Sequence, residues 1–253
     1  EILNNLSQES GSTIFPIDSE HSAVHQCLQG VKDQKSVSRI ILTGSGGPFL
    51  NRDLNEFESI TPKEAVSHPV WNMGAKISVD SSTMMNKCLE IIEARWLFKT
   101  KNIDVLIHPE GIIHSLVEFI DNSMLAQLSV PDMKIPIAYG LGFPNKLNSV
   151  SSPINFEEIS GLTLRKPDLQ KFPALNLAKS CIDIGGTSFA ILNAANEECV
   201  EAFLAGKINY LDIYQIVSKV LDNSTINDVK DLNDIFEADE SSRSTTKELI
   251  NKI

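Results

Sequence analysis

Strand-like texture stops halfway along this chain. As far as Leu128, short runs of Ile, Leu and Val alternate with helical segments; beyond Pro131 the remainder reads as helices punctuated by glycine and polar stops. Such a sequence has to build its sheet from the first half and bury the helices of the second half against one another. Residues 13–17, 39–42, 76–79 and 104–108 read as strands, and 116–120 with 124–128, joined across Asp121-Asn122-Ser123, as an antiparallel hairpin. Residues 22–28 read as a short helix. Asp80-Ser81-Ser82-Thr83 offers helix caps. The helix expected after it carries Met85, Leu89, Ile92 and Trp96 at i, i+4, i+7 and i+11, one buried stripe with Met84 and Met85 in the core.

Pro-, Asn- and Ser-rich residues 144–153 form a connecting segment. Helices are then expected over 172–184, ending at Gly185-Gly186, over 188–205, ending at Gly206, and over 210–221, with a last charged helix from about Ser242. Short connections imply antiparallel neighbours. The pattern predicts an α+β catalytic domain with a mixed sheet over residues 1–150, a linker over 151–170 and an all-α helical-bundle domain over 171–253.

Composition excludes several classes. An apolar content of 42% supports a proper core, and a formal charge of −11 repels polyanions. No Lys/Arg-rich stripe points to nucleic acid or anionic lipid, so an anionic ligand must be held by local donors. Cys27, Cys88, Cys181 and Cys199 show no CxxC pairing, which favours reduced, cytosol-like surroundings over a disulfide scaffold or structural zinc. No run of about 18 apolar residues is present to span a bilayer, and Glu1, Asn4, Asn5 and Ser7 carry no basic-then-apolar signal. The chain opens mid-pattern, reading as part of a longer protein.

Asp18-Ser19-Glu20 stands at the tip of an apolar run. On a strand, i and i+2 share a face, so Asp18 and Glu20 can converge while Ser19 points elsewhere or caps the next helix. Asn86 and Glu90, i and i+4 on a helix, share a face with Lys87 beside them. Three carboxylates, Asp18, Glu20 and Glu90, with no Cys or paired His suit a hard cation, Mg²⁺ or Mn²⁺, with positions open for substrate oxygens. Taken alone, an Asp-x-Glu at a strand end is usually a solvated edge or helix cap; its company gives it weight.

Gly44-Ser45-Gly46-Gly47 follows a strand, and such a turn lets backbone N–H groups approach an anion. A helix start at residues 80–83 would add amides and the positive dipole end. Ser45, Ser81, Asn86 and Lys87 can donate to phosphate oxygens. No Walker A or GxGxxG pattern is present, which disfavours a nucleotide cradle; a tight turn plus an ordinary cap explains the spacing equally well. Between these elements, His68-Pro69-Val70-Trp71-Asn72-Met73-Gly74 has the composition of a lid, with His68 able to donate to phosphate, although a lone His before Pro is more often a turn residue. His21 and His25 lack a third nitrogen or thiolate partner and read as structural, as do His108 and His114 around Pro109-Glu110-Gly111.

These segments, together with Pro16-Ile17-Asp18-Ser19-Glu20-His21, Leu42-Thr43-Gly44-Ser45-Gly46-Gly47-Pro48-Phe49, Ser78-Val79-Asp80-Ser81-Ser82-Thr83-Met84-Met85-Asn86-Lys87 and Leu192-Asn193-Ala194-Ala195-Asn196-Glu197, occur in an order that closely resembles the 1-deoxy-D-xylulose 5-phosphate reductoisomerases of non-mevalonate isoprenoid synthesis. The resemblance covers essentially the whole chain. It implies a divalent metal, Mg²⁺ or Mn²⁺, NADPH, a phosphorylated sugar substrate and a homodimer, for which the apolar hairpin over 116–128 is suited. It further implies a bacterial cytoplasm or a plastid. The family's NADPH-binding Rossmann-like domain finds no counterpart in the chain, which reads as the catalytic and C-terminal portion.

By that resemblance Asp18, Glu20 and Glu90 are metal ligands and, with Lys87, the catalytic set. Ser19, Ser45, His68, Trp71, Met73, Ser81, Asn86, Lys87, Glu90 and Met133 contact substrate, and Gly44 and Gly74 lie at the nicotinamide cofactor. Cys88 stands where a small residue, commonly glycine, is usual, and Glu110-Gly111 replaces a typical Gln-Ser; both lie outside the ligand set. A metal-dependent sugar-phosphate isomerase or aldolase without nicotinamide, and a non-catalytic dimerising fragment, stay open on the sequence alone.

Overall fold

The computed structural model describes residues 1–71 and 73–253; Asn72 of the 68–74 segment lies outside the described residues. In chain order the elements are α1 (Ile2–Ser10), α2 (Ser19–Cys27), β1 (Val37–Gly44), α3 (Pro62–Ala65), α4 (Ala75–Thr83), α5 (Met85–Leu97), β2 (Ile103–Ile107), β3 (Ile113–Phe119), β4 (Met124–Leu128), α6 (Lys134–Gly142), α7 (Ala174–Ile184), α8 (Ser188–Leu204), α9 (Tyr210–Asn223) and α10 (Leu232–Ile250). Two compact units form, one from residues 1, 3–46 and 93–167 and the other from residues 2, 47–92 and 168–253.

The first unit holds a mixed sheet in the order β2-β1-β3-β4, with β1 parallel to β2 and antiparallel to β3, and β3 antiparallel to β4. Ile40, Ile41 and Leu42 of β1 are all buried, as a central strand covered on both faces requires. On one face, Ile41, Ile113 and Leu116 pack with Leu106 and Leu128. Helix α2 packs across β3 and β4, and Ser115 Oγ of β3 donates to the carbonyl of Glu20 at 3.0 Å. The first turn of α2 is thereby fastened to the sheet. The expected hairpin is present: Asn122 takes a φ of 65°, a conformation asparagine tolerates, and Asp121 Oδ1 accepts from the Ser123 amide at 3.0 Å and hydroxyl at 2.7 Å.

The second unit is helical. Phe49, Phe57, Phe172, Phe203 and Tyr210 form its aromatic centre, with ring centroids from 5.4 Å (Phe49 to Tyr210) to 6.4 Å (Phe57 to Phe172). Helix α8 packs on α4, α9 and α10. The glycine stops sit where expected, Gly185 and Gly206 with φ of 75° and 70° just beyond α7 and α8.

Five expectations are corrected. Residues 13–17 form no strand: Phe15 packs its ring 4.8 Å from Phe143 and 5.4 Å from His25, so the run serves as an anchor leading into α2, which begins at Ser19 rather than Ser22. Residues 76–79 lie in α4, and residues 80–83 form its last turn rather than a helix start. The buried residues of α4 are Ser78, Val79, Asp80 and Ser82, a set too polar for hydrophobic periodicity to register. Its hydroxyls are satisfied on their own helix, Ser78 Oγ on the Gly74 carbonyl (3.0 Å) and Ser82 Oγ on that of Val79 (2.7 Å). The final helix starts at Leu232, not near Ser242, capped by Asp231 with Asp234 reaching back in a capping box.

All four cysteines are buried and unpaired, and burial pushes the Cys27 and Cys181 thiols up to about 11, which leaves them unreactive. Among the described residues no helix is long and apolar enough to cross a membrane. Leu42 is fully buried at the centre of the sheet, so Leu42→Ala is expected to cost about 2–5 kcal/mol in urea unfolding; a loss under about 1 kcal/mol would show that β1 is not the packing axis.

Candidate functional site

Asp18 precedes α2 as its N-cap, accepting from the amides of Glu20 (3.3 Å) and His21 (3.5 Å). These bonds are long for capping contacts. The positive end of the helix dipole favours the negative charges of Asp18 and Glu20 in this first turn. Ser19, nearly buried, donates its hydroxyl to the Glu20 carboxylate. Asp18 and Glu20 therefore meet at a helix start, where a cap and the second helical residue share the open end of the first turn; the strand geometry expected for them is replaced. His21, 1% exposed, lies with Nδ1 3.0 Å from Asp18 Oδ2 and 3.7 Å from Glu93 Oε2 on α5. That contact orients the Asp18 carboxylate, and its only sequence signal is the three-residue spacing from the cap.

Gly44 closes β1, its carbonyl accepting from the His108 amide at 2.8 Å, and Ser45 follows half-buried. Met133 stands at the N-cap of α6, 38% exposed; its neighbour Asp132 shares a small polar cleft with Ser19, His114 and Gln127. His108 is structural as expected, donating through Nδ1 to the Thr163 carbonyl (2.8 Å) and accepting at Nε2 from the Ile112 amide (3.1 Å). The unusual Glu110-Gly111 pair serves the same loop. Glu110 accepts from the Thr163 amide and hydroxyl, and Gly111 adopts a φ of 64°.

In the second unit the charged centre is on α5. Glu90 and Lys87 are both 4% exposed, and the Glu90 carboxylate accepts from the Lys87 ammonium and from the Asn86 amide. A carboxylate this deeply buried persists as an anion only with such partners. Cys88, wholly buried beside them, has its thiol pushed well above the usual range by burial and the proximity of Cys181, so the larger residue there fills space without adding chemistry.

Ser81 lies in the last turn of α4, half-buried, with its carbonyl accepting from the Met84 amide at 3.2 Å. Met84 takes a φ of 61°, breaking the helix before α5 presents Asn86 and Lys87. The glycine-rich turn meets this helix end: a Cβ on Gly47, whose φ is 65°, would stand 2.8 Å from the Ser81 carbonyl oxygen. Gly74 caps the start of α4. Upstream, His68 Nδ1 accepts from the amides of Val70 (3.1 Å) and Trp71 (2.9 Å), which places the ring proton on Nε2 as a donor. Trp71 and Met73 are half-buried.

Comparison with known proteins shows what the chain is similar to. A family model for the 1-deoxy-D-xylulose 5-phosphate reductoisomerase C-terminal domain matches residues 14–98, and one for the DXP reductoisomerase C-terminal domain matches residues 128–245. Curated 1-deoxy-D-xylulose 5-phosphate reductoisomerases from Trichlorobacter lovleyi and Geobacter metallireducens are 46% and 47% identical over 95% and 98% of the chain. The chain spans 62% and 65% of their lengths. The solved Zymomonas mobilis 1-deoxy-D-xylulose 5-phosphate reductoisomerase in complex with NADPH superposes with a TM-score of 0.93 at 41% identity, over all of this chain and 65% of that one. A DOX-P reductoisomerase in complex with NADPH, fosmidomycin and magnesium superposes with a TM-score of 0.92 at 42% identity, over 98% of this chain and 65% of that one.

Gly47→Ala forces a left-handed φ on a residue with a Cβ and drives that Cβ into backbone, and is expected to cost about 1–3 kcal/mol by chemical denaturation; no measurable loss would mean the turn does not abut α4. Burial lowers the pKa of His68. Between its folded and unfolded values the unfolded chain binds more protons, so this group's contribution to stability is full above about pH 6.5 and is lost as pH falls through the folded value. NMR titration of the ring nitrogens should show a neutral Nε2–H tautomer at pH 7; a midpoint at or above about 6.5 would contradict it.

Proposed function

The chain belongs to the 1-deoxy-D-xylulose 5-phosphate reductoisomerase family, and we propose on that basis that it carries the metal- and phosphate-binding residues for converting 1-deoxy-D-xylulose 5-phosphate into 2-C-methyl-D-erythritol 4-phosphate with NADPH. The observation that carries this reading is the buried Glu90 carboxylate gripped by Lys87 and Asn86. Such a group is costly as pure structure and is well suited to hold a cation beside an anion site. We propose Asp18, Glu20 and Glu90 as ligands of one divalent cation. Their donors are all carboxylate oxygens, the chemistry that Mg²⁺ or Mn²⁺ prefers.

Once bound, the cation polarises the hydroxyl and carbonyl oxygens of the ketose during the carbon-skeleton rearrangement, and NADPH supplies the hydride that reduces the resulting aldehyde. The residues of the chain bind and orient. Lys87, Asn86, Ser81, Ser45 and the Nε2–H of His68 serve the phosphate and neighbouring hydroxyls, so that binding energy remote from the reacting carbons fixes their position. Ser19 and Met133 line the substrate, Trp71 and Met73 close over it and exclude water, and Gly44 and Gly74 let the nicotinamide approach without a Cβ in the way.

A homodimer through the sheet completes the proposal. Edge strand β4 and its turn expose Ile120 (70%), Met124 and Leu125 (51%), an apolar rim suited to a second copy. A bacterial cytoplasm or a plastid is the proposed compartment.

The test is NADPH oxidation followed by absorbance, with full-length protein, 1-deoxy-D-xylulose 5-phosphate and Mg²⁺; substrate-independent or absent oxidation would sink the assignment. Glu90→Gln is expected to weaken Mg²⁺ half-saturation by more than the about 10–100-fold typical of outer-shell changes, and an unaltered Mg²⁺ titration would remove Glu90 from the ligand set. Lys87→Ala should raise KM by about 10–100-fold, the worth of a charge-assisted hydrogen bond, and an unchanged KM would refute its phosphate role.

A further inference from the structure

The fit of α4 against the bundle depends on three groups that the proposed chemistry leaves unused. Asp80 on α4 is 1% exposed and Asn196 on α8 is fully buried. Asn196 Nδ2 donates to Asp80 Oδ1 at 2.9 Å, while Lys76, one turn earlier on α4, brings its ammonium to 2.7 Å from Oδ2 as an ion pair. Asn196 Oδ1 is buried with no hydrogen-bond partner among the described residues. Glu197, next in sequence, is engaged by Arg243 at 2.6 Å and by Asn193 at 3.2 Å, and its charge also acts on Asp80 and on Lys76.

An apolar pair of similar volume would hold two helices together at least as well as a buried carboxylate with an incompletely satisfied amide. What the polar pair adds is direction. Leucines pack in many rotational settings, whereas one amide donor and one carboxylate oxygen meet in a single setting of α4 against α8. That setting matters because α4 joins two parts of the proposed site. Gly74 caps its start, Ser81 is in its last turn, and the left-handed Met84 that ends it launches the turn bearing Asn86 and Lys87. Gly47 abuts the same helix end through the Ser81 carbonyl. A rotation of α4 would carry the Ser81 hydroxyl and the start of α5 away from the glycine turn together.

We propose that Asp80, Asn196 and Lys76 are positioning residues, a buried polar latch that sets the rotation of α4 and so aligns Ser81, Asn86 and Lys87 on the phosphate of the substrate. The proposal rests on the reading of those three residues as phosphate donors. In this arrangement the latch touches no substrate. It acts through the helix.

The test uses the full-length protein and two readouts, calorimetric titration with inorganic phosphate and steady-state kinetics with the phosphorylated ketose. Asn196→Leu, with the same branching and no polar atoms, is expected to keep its melting temperature within a few degrees, to bind phosphate at least tenfold more weakly, and to raise KM at least tenfold with kcat within threefold. Asp80→Leu combined with Asn196→Leu should restore any lost stability without restoring KM. Phosphate affinity and KM within twofold of the parent would overturn the proposal, as would kcat and KM failing together with a collapsed melting temperature. If Asn196→Leu does not fold, Asn196→Ser is read by the same criteria. A parent protein that binds no phosphate would sink the donor assignment itself, whereas a phosphate-binding parent with unaffected variants would sink the latch alone.

Discussion

A carboxylate buried to 4% exposure and held by one ammonium and one amide on its own helix is the interaction on which the proposed site depends. Removing a charge from water costs several kcal/mol, and the cost is met only when partners are close and rigid. The three- and four-residue spacings of Lys87 and Asn86 to Glu90 supply that rigidity, because α5 holds them on one face regardless of side-chain choice elsewhere. The same grip holds the Lys87 ammonium in place on α5. The lysine that pairs with the buried carboxylate is also the one proposed for the phosphate of the substrate.

The first unit solves a different problem with different means. Asp18 and Glu20 are presented by the opening turn of α2, and that turn is fixed from two sides, by Ser115 of the sheet bonding the Glu20 carbonyl and by His21 bonding the Asp18 carboxylate. A helix start leaves amides unpaired and a positive dipole end, so two carboxylates can be brought together there at lower electrostatic cost than on a strand. The sheet contributes through rigidity, since β1 is buried on both faces and carries the glycine turn at its end.

Much of this was legible in residues alone. Strands β1 to β4, the Asp121-Asn122-Ser123 hairpin and the glycine stops after α7 and α8 follow from alternation, from apolar runs and from residues, glycine and asparagine, that tolerate a left-handed φ. Asn86, Lys87 and Glu90 share a face by arithmetic. The errors have a common cause. Residues 13–17 carry strand-like side chains that are spent on Phe143 and His25 instead of on a neighbouring strand, and α4 hides its buried stripe in serines whose hydroxyls bond their own backbone. Hydrophobic patterning reads neither, because in one case the apolar groups serve tertiary anchoring and in the other the buried groups are polar.

What the sequence settled by itself is the local chemistry: carboxylate, ammonium and hydroxyl donors at spacings a helix must honour, and glycines where a Cβ cannot stand. Tertiary structure alone decided that 75–83 is a helix, that Asp18 caps rather than extends, and that Asp80 and Asn196, 116 positions apart, share a hydrogen bond. Local rules act over a turn or a pleat, whereas pairing of distant polar groups is chosen by which arrangement leaves the fewest of them stranded in the interior.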